Sequence, residues 1–197
     1  MVNLLKPSGQ IPLRFLTERL HVRRYAPHDR DDLYAAARES VSEIYPFLPW
    51  CHPGYSRDEA TDWIGMVESS WQTGEEYNFA IKDRNSGVFY GGIGLNQIRE
   101  NHVANLGYWM RTTATGHGYV TEATRGLIDF AFRNLGLKRL EIIMSIENPA
   151  SRKIAINVGA TCEGTLRDRL PLHGENHDAY LYSLIPDDFT EPGETHE

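Results

Sequence analysis

The stretch 106–123 constrains this chain more than any other. An apolar strand, Val103–Met110, gives way to a polar loop, 111–118, with glycines at 116 and 118. The loop then runs straight into a helical segment, Tyr119–Leu135. Ala123, Leu127, Phe130, Ala131 and Leu135 recur at helical spacing, so this helix must lay an apolar stripe on a sheet, and Gly136 is placed to end it. A strand that turns so quickly into a helix leaves the first backbone N–H groups of that helix unpaired beside the strand end. Those donors and their partial positive charge suit a phosphate, and glycines let the backbone approach without a Cβ in the way. Thr115 and Thr121 can add hydroxyl donors. A tight strand-to-helix turn with no ligand has the same local pattern, so the segment alone leaves both readings open. Two other phosphate-binding readings fail on spacing. There is no Gly-Lys-Ser/Thr of an NTPase loop, and no third glycine in the register of a dinucleotide fold.

The periodicities on either side alternate between strand and helix. Residues 11–25 read as one or two short strands, followed by a helix over 31–40 and a second helical piece. An aromatic, proline-rich loop, 45–50, comes next. Ser56-Arg-Asp-Glu59 has the capping-box pattern, and it opens a helix whose Ala60, Trp63, Ile64 and Val67 form one stripe, read as core. Strands over 77–82, 88–98 and 103–110 form an antiparallel meander. After the central helix come a strand over 139–146, a helix over 149–158, and two strands, 161–167 and 178–184, flanking a polar loop at 171–177. The order β-α-α-β-β-β-α-β-α-β-β describes an α/β domain on a mixed sheet.

Composition narrows the function. With 197 residues, 41% hydrophobic and 24% charged, the chain fits one globular domain, expected over 1–197 with its core at about 12–186. No run approaches the roughly 20 apolar residues of a membrane span, and the first residues lack a signal-peptide layout, so a cytoplasmic location is expected. Cys51 and Cys162 stand far apart without metal-ligand spacing, so neither a disulfide framework nor a metal site is expected. A net charge of −7 argues against nucleic acid as partner and is compatible with a cationic substrate. An anionic cofactor would need an amide-rich pocket.

The segment 111–118 resembles the acyl-CoA signature (Gln/Arg)-x-x-Gly-x-(Gly/Ala) of the GNAT N-acetyltransferases, and within them the RimJ/RimL branch. Matching pieces run along the chain: Thr17-Glu-Arg-Leu20, Gly91-Gly-Ile-Gly-Leu-Asn96, Leu106-Gly-Tyr-Trp-Met110, Gly116-His-Gly-Tyr-Val-Thr-Glu-Ala123, Asn148-Pro-Ala-Ser-Arg152, Gly159-Ala-Thr-Cys-Glu-Gly-Thr-Leu166 and Asp178-Ala-Tyr-Leu-Tyr182. The resemblance implies a GNAT fold: a mixed, mostly antiparallel twisted sheet with helices on both faces and a splayed pair of parallel strands. It implies acetyl-CoA as cofactor. The pantetheine arm would lie along Trp109, Met110 and Arg111, and the pyrophosphate on the amides of Gly116, His117, Gly118 and Tyr119 beside Thr115. Asn148, Ser151 and Lys153 (or Arg152) would serve the arm and the ribose phosphate. Tyr45, Trp50 and Tyr55 fall where relatives build the acceptor pocket, and RimL-like relatives suggest a homodimer.

The chain departs from the family pattern at three positions. Thr113 stands at the first signature position, Ala155 where many relatives have a tyrosine acid, and Asn105 where a glutamate base is common. The altered acid leaves Ser151 as a candidate, and the missing base leaves His173 or His177 in the 171–177 loop. A site without a strong base suits an α-amine, which costs about 1 kcal/mol to deprotonate at pH 7, against roughly 4.6 kcal/mol for lysine. The expected reaction is acetylation of a peptide N-terminal α-amine by direct attack. A small amine (an aminoacyl-nucleotide or antibiotic, or a polyamine) and a non-catalytic acyl-CoA sensor are the alternatives.

Overall fold

The computed structural model describes residues 10–189. The segment 1–9, on which the expectation about a leader rests, and the segment 190–197, included in the 1–197 domain, lie outside the described residues. Eight strands form one sheet: β1 (Arg14–Leu16), β2 (Leu20–Arg24), β3 (Tyr77–Asp83), β4 (Phe89–Asn96), β5 (Val103–Met110), β6 (Arg139–Ser145), β7 (Thr161–Leu172) and β8 (Glu175–Leu184). Their spatial order is β1-β2-β3-β4-β5-β6-β8-β7. Five helices pack around it: α1 (Arg30–Glu39), α2 (Val41–Ile44), α3 (Arg57–Thr73), α4 (Tyr119–Leu135) and α5 (Pro149–Asn157). Every strand pair is antiparallel except β5 with β6. No helix among the described residues is long and apolar enough to cross a membrane.

That parallel pair lasts only three residues, Val103–Asn105 against Arg139–Glu141. Beyond it β5 stays with β4 as far as Met110, and β6 stays with β8 as far as Ser145. The two strands therefore part, and residues 106–110 keep a free edge toward the gap. The splayed parallel pair expected from the resemblance is present.

Aromatic packing fixes the sheet against its helices. Phe79 on β3 has ring centroids 5.1 Å from Trp71 of α3, 5.2 Å from Phe130 of α4 and 5.5 Å from Phe15 of β1. The Trp71 indole donates to the Asn78 carbonyl at 3.1 Å, which removes the cost of burying its N–H. The α3 capping box forms as read: Ser56 Oγ accepts from the Glu59 N–H at 3.2 Å, and Glu59 Oε2 accepts from the Ser56 N–H at 2.9 Å.

One expectation is corrected. Residues 171–177 are not an open loop but the tip of a long hairpin, with β7 running to Leu172 and β8 starting at Glu175. His173 and Gly174 make a two-residue turn with φ of +54° and +89°, the left-handed geometry that matches strand twist. Pro171 is tolerated because β7 is the edge strand.

Sheet closeness is set at Gly91, where a Cβ would lie 2.2 Å from the Trp109 carbonyl oxygen, a backbone atom that cannot swing away. Gly91→Ala should cost about 1–3 kcal/mol and visibly lower the melting temperature. Gly65→Ala, on α3 with nothing near its Cβ, should be neutral or stabilise by up to about 1 kcal/mol. Thermal and denaturant unfolding of the two variants checks both.

Candidate active site

The loop between β5 and α4 presents bare backbone. Gly116 and Gly118 both take φ of +79°, residues 115–118 are exposed, and Gly118 is the N-cap of α4. No side chain caps that helix, so its first amides face the loop's open side. Thr115 Oγ1 donates back to the Thr112 carbonyl at 2.8 Å, and His117 Nδ1 lies 3.1 Å from the Thr115 carbonyl.

Carboxylates hold this loop from behind. Glu39, at the end of α1, accepts from the Thr113 N–H at 2.9 Å and its hydroxyl at 2.7 Å, and pairs with Arg111. Ser40 Oγ accepts from the Thr112 N–H at 2.9 Å. On the other flank Arg19 donates to the His117 carbonyl at 3.0 Å, and its guanidinium lies 4.6 Å over the Tyr119 ring. The same guanidinium binds Glu122 at 2.6 Å, and Tyr119 stacks on Tyr90 at 4.6 Å. Burial works to raise the Glu122 pKa, but hydrogen bonds from Thr17 and Arg19 hold it below its ordinary value. The Arg111 guanidinium, opposed by partial burial and helped by Thr113, holds Glu39 down at about 2.

Across the gap, Asn148 caps α5 by accepting from the Ser151 N–H at 3.0 Å. The Tyr108 hydroxyl reaches over from β5, lying 3.0 Å from Ser151 Oγ and donating to the Ser151 carbonyl at 3.1 Å. Burial pushes the Tyr108 hydroxyl up to about 12.

Tyr108 also lines a cavity of about 540 Å³ walled by β4, β5 and α3. Tyr25, Trp50, Tyr55, Trp63 and Trp109 supply its other aromatic walls, and His52, Glu59 and Asp62 its titratable groups. Trp50 meets Tyr55 and Trp109 edge-on, with centroids 5.5 and 5.3 Å away. Asn96 lines the wall and accepts from Asn105 Nδ2 at 2.9 Å, while Asn105 Oδ1 is buried with no partner among the described residues.

The structure thus brings Trp50, Tyr55 and Trp109 to the cavity and sets Asn105 just behind its wall. Tyr45 lies elsewhere, at the hairpin tip, where its ring sits 4.4 Å from that of His173 and its carbonyl lies 3.0 Å from His173 Nε2. His177 is a strand residue opposite Leu170. Met110 is buried against Gly91, and Arg111 begins the loop. Lys153 is exposed on α5, whereas Arg152 donates to the Tyr182 hydroxyl at 3.1 Å and covers the Tyr180 ring.

Trp63, read as core, is only half-buried and faces the cavity. Glu59, Asp62, Trp63 and Met66 form a second stripe on α3 at i, i+3, i+4 and i+7, a spacing present in the sequence. The contact between Tyr108 and Ser151 leaves no such trace.

Free strand edge, uncapped helix and adjoining cavity are together the arrangement that an extended ligand with an anionic end and a second substrate would need. The acetyltransferase (GNAT) domain model matches residues 19–161, and the chain belongs to that family. It is 31% identical over 170 residues to the N-acetyltransferase p20 of Bacillus licheniformis, covering 86% of this chain and 94% of that one. It is 26% identical over 168 residues to the ribosomal-protein-serine acetyltransferase of Escherichia coli (strain K12), covering 79% and 93%. The solved structure of RimL, the ribosomal L7/L12 alpha-N-protein acetyltransferase, in complex with coenzyme A superposes with a TM-score of 0.81 at 23% identity, covering 90% and 98%. RimJ/RimL-like enzymes are among its relatives, and the chain is an acetyl-CoA-dependent N-acetyltransferase of the GNAT family.

Glu39→Ala should cost about 1 kcal/mol at neutral pH and lower the melting temperature by a few degrees. The native carboxylate titrates at about 2 instead of 4.5, so its stabilisation is complete above 4.5, declines below it, and is gone once the pH falls through about 2. Melting curves of both proteins should therefore keep a constant separation from neutral pH down to about 5 and converge on further acidification.

Proposed function

We propose that the protein acetylates a primary amine of low pKa, foremost a peptide N-terminal α-amine, by direct attack on the thioester of acetyl-CoA. One observation carries this reading: Tyr108 lies on the wall of the aromatic cavity while its hydroxyl touches Ser151 across the parted strands. The bare amides at one end of the gap suit the cofactor diphosphate, and the cavity beyond its other side suits an acceptor. The amides of Gly116–Tyr119 hold the pyrophosphate, with Thr115 and His117 beside it. The free edge at Trp109–Arg111 pairs with the pantetheine arm, Asn148 and Ser151 flank that arm, and Lys153 meets the ribose phosphate.

The nitrogen must be neutral to attack, and the site offers little help in making it so. His52 has both ring nitrogens engaged, Nδ1 by the Gly54 N–H at 3.1 Å and Nε2 by Glu59 at 2.8 Å. Glu59 accepts from the Ser56 hydroxyl, His52 and the Ser56 N–H, which hold it below its ordinary pKa and make it a weak base. Neither His173 nor His177 lines the cavity. An α-amine, about 1 kcal/mol from neutrality at pH 7, is therefore favoured over lysine, about 4.6 kcal/mol away.

As the C–N bond forms and the C–S bond breaks, a nitrogen proton ends on sulfur. The Tyr108 and Ser151 hydroxyls carry it. A phenol at about 12 keeps its own proton at neutral pH, so the pair supports a thiolate leaving group of pKa about 8.5 and passes on what the nitrogen sheds. Positioning supplies the remainder, and well-oriented groups contribute about 7–11 kcal/mol. A relative from Escherichia coli named as the N-acetyltransferase of an alanine of ribosomal protein uS5 supports an α-amine as acceptor.

Peptides with a free N-terminus should be acetylated at least about tenfold faster at pH 7 than matched peptides whose only amine is a lysine side chain, a direction set by the deprotonation costs. Mass-shift assays read this, and the reverse order would overturn the α-amine assignment. Tyr108→Phe should lower kcat about 10–100-fold while leaving the Kd for CoA nearly unchanged. Combined with Ser151→Ala, its loss should be less than multiplicative, as for groups that act as a unit.

A further inference from the structure

We infer that the cavity beside Tyr108 selects an acceptor whose amine is carried on a bulky, π-rich apolar body without an anionic substituent. This rests on the acetyltransferase reading and sharpens it. Tyr25, Trp50, Tyr55, Trp63, Tyr108 and Trp109 are too many rings for a small side chain to cover, and about 540 Å³ is the size of cavities that accept drug-sized molecules. Trp50 is 38% exposed and Met66 57% exposed at the cavity wall, so apolar surface there stays in water until a ligand covers it. Met66 is unbranched and adapts to irregular shapes.

Charge sets the second half of the selection. No lysine or arginine lines the cavity, and its formal charges come from Glu59 and Asp62. Glu59 is consumed by Ser56 and His52, whereas Asp62 is exposed with no ion-pair partner among the described residues. A carboxylate or phosphate on the acceptor would meet two like charges and no counter-ion, a costly burial. The incoming ammonium, by contrast, is drawn toward the exposed Asp62 at the cavity wall, gives its proton to water there, and reaches the thioester as the neutral amine. Free amino acids and aminoacyl-nucleotides are disfavoured. Two sources carry the favoured chemistry: the first residue of a peptide, where it is aromatic, and a free arylalkylamine.

The test uses the full chain with acetyl-CoA, reading thiol release and, separately, quenching of tryptophan fluorescence by acceptor alone. The panel is a set of peptides differing only in the first residue (Phe, Trp, Ser, Ala), phenethylamine, tryptamine and free phenylalanine. Expected are kcat/KM values at least about tenfold higher for Phe- or Trp-first peptides than for Ser- or Ala-first ones, given what each apolar group contributes in such a pocket. Phenethylamine should likewise exceed phenylalanine at least about tenfold and quench saturably, and the order of phenethylamine against the Phe-first peptide, with each rate taken per neutral amine to remove the alkylamine's higher pKa, distinguishes the two sources. Trp63→Ala should narrow the aromatic preference mainly through KM, and Trp63→Phe should restore most of it. Ser- or Ala-first peptides reacting as fast as aromatic ones, or phenylalanine matching phenethylamine, would overturn this inference and leave acetyl transfer standing. Saturable quenching by phenethylamine without thiol release from any amine would support the selectivity and overturn the transfer reading.

Discussion

Pairing between β5 and β6 stops after Asn105, and the site is organised by that stop. A strand that keeps its neighbour on one side only must satisfy its other backbone groups elsewhere, in water or in a ligand. Residues 106–110 are in that position inside the sheet rather than at its rim. Because β5 continues into the loop and then into α4, the unpaired edge and the uncapped helix share one direction. An extended molecule with an anionic end finds partners along the whole of it. The Tyr108 hydroxyl is the side-chain bridge described across the gap, and the same residue lines the aromatic cavity.

The negative balance of the chain is compatible with a polyanionic substrate because of where the carboxylates near the loop point. Glu39 and Glu122 spend their oxygens on Thr113, Arg111, Thr17 and Arg19 rather than on the amides of residues 116–119. They shape the loop from within. Thr113, which replaces the usual Gln or Arg of the signature, is tied down by Glu39 through both its N–H and its hydroxyl. The loss of a longer donor is thus accompanied by a firmer scaffold.

Features fixed by local chemistry were legible in the sequence. The Ser56–Glu59 box, the limits of α4 between Gly118 and Gly136, and the strand Val103–Met110 are all set by residues within a few positions. The hairpin tip was not, because His173-Gly174 lacks the Asn-Gly or Asp-Gly that usually announces such a turn. Tyr45 was grouped with Trp50 because they are neighbours in sequence, but the turn of α2 sends it to the hairpin. Trp63 belongs to two stripes of α3 at once, one buried and one facing the cavity, and spacing alone does not separate them. The contact of Tyr108 with Ser151 spans 43 positions and crosses a gap that no periodicity records.

An α-helix that leaves its own beginning unfinished has a consequence for the life of the protein. Capping typically contributes about 1 kcal/mol to a helix, and here no side chain of the chain supplies it. Any ligand that binds only the native state deepens the folded well, by about 2.7 kcal/mol at a hundred times its dissociation constant. On the proposed reading the missing partner is the cofactor diphosphate, which loaded and spent CoA share, so either form would protect the fold against unfolding.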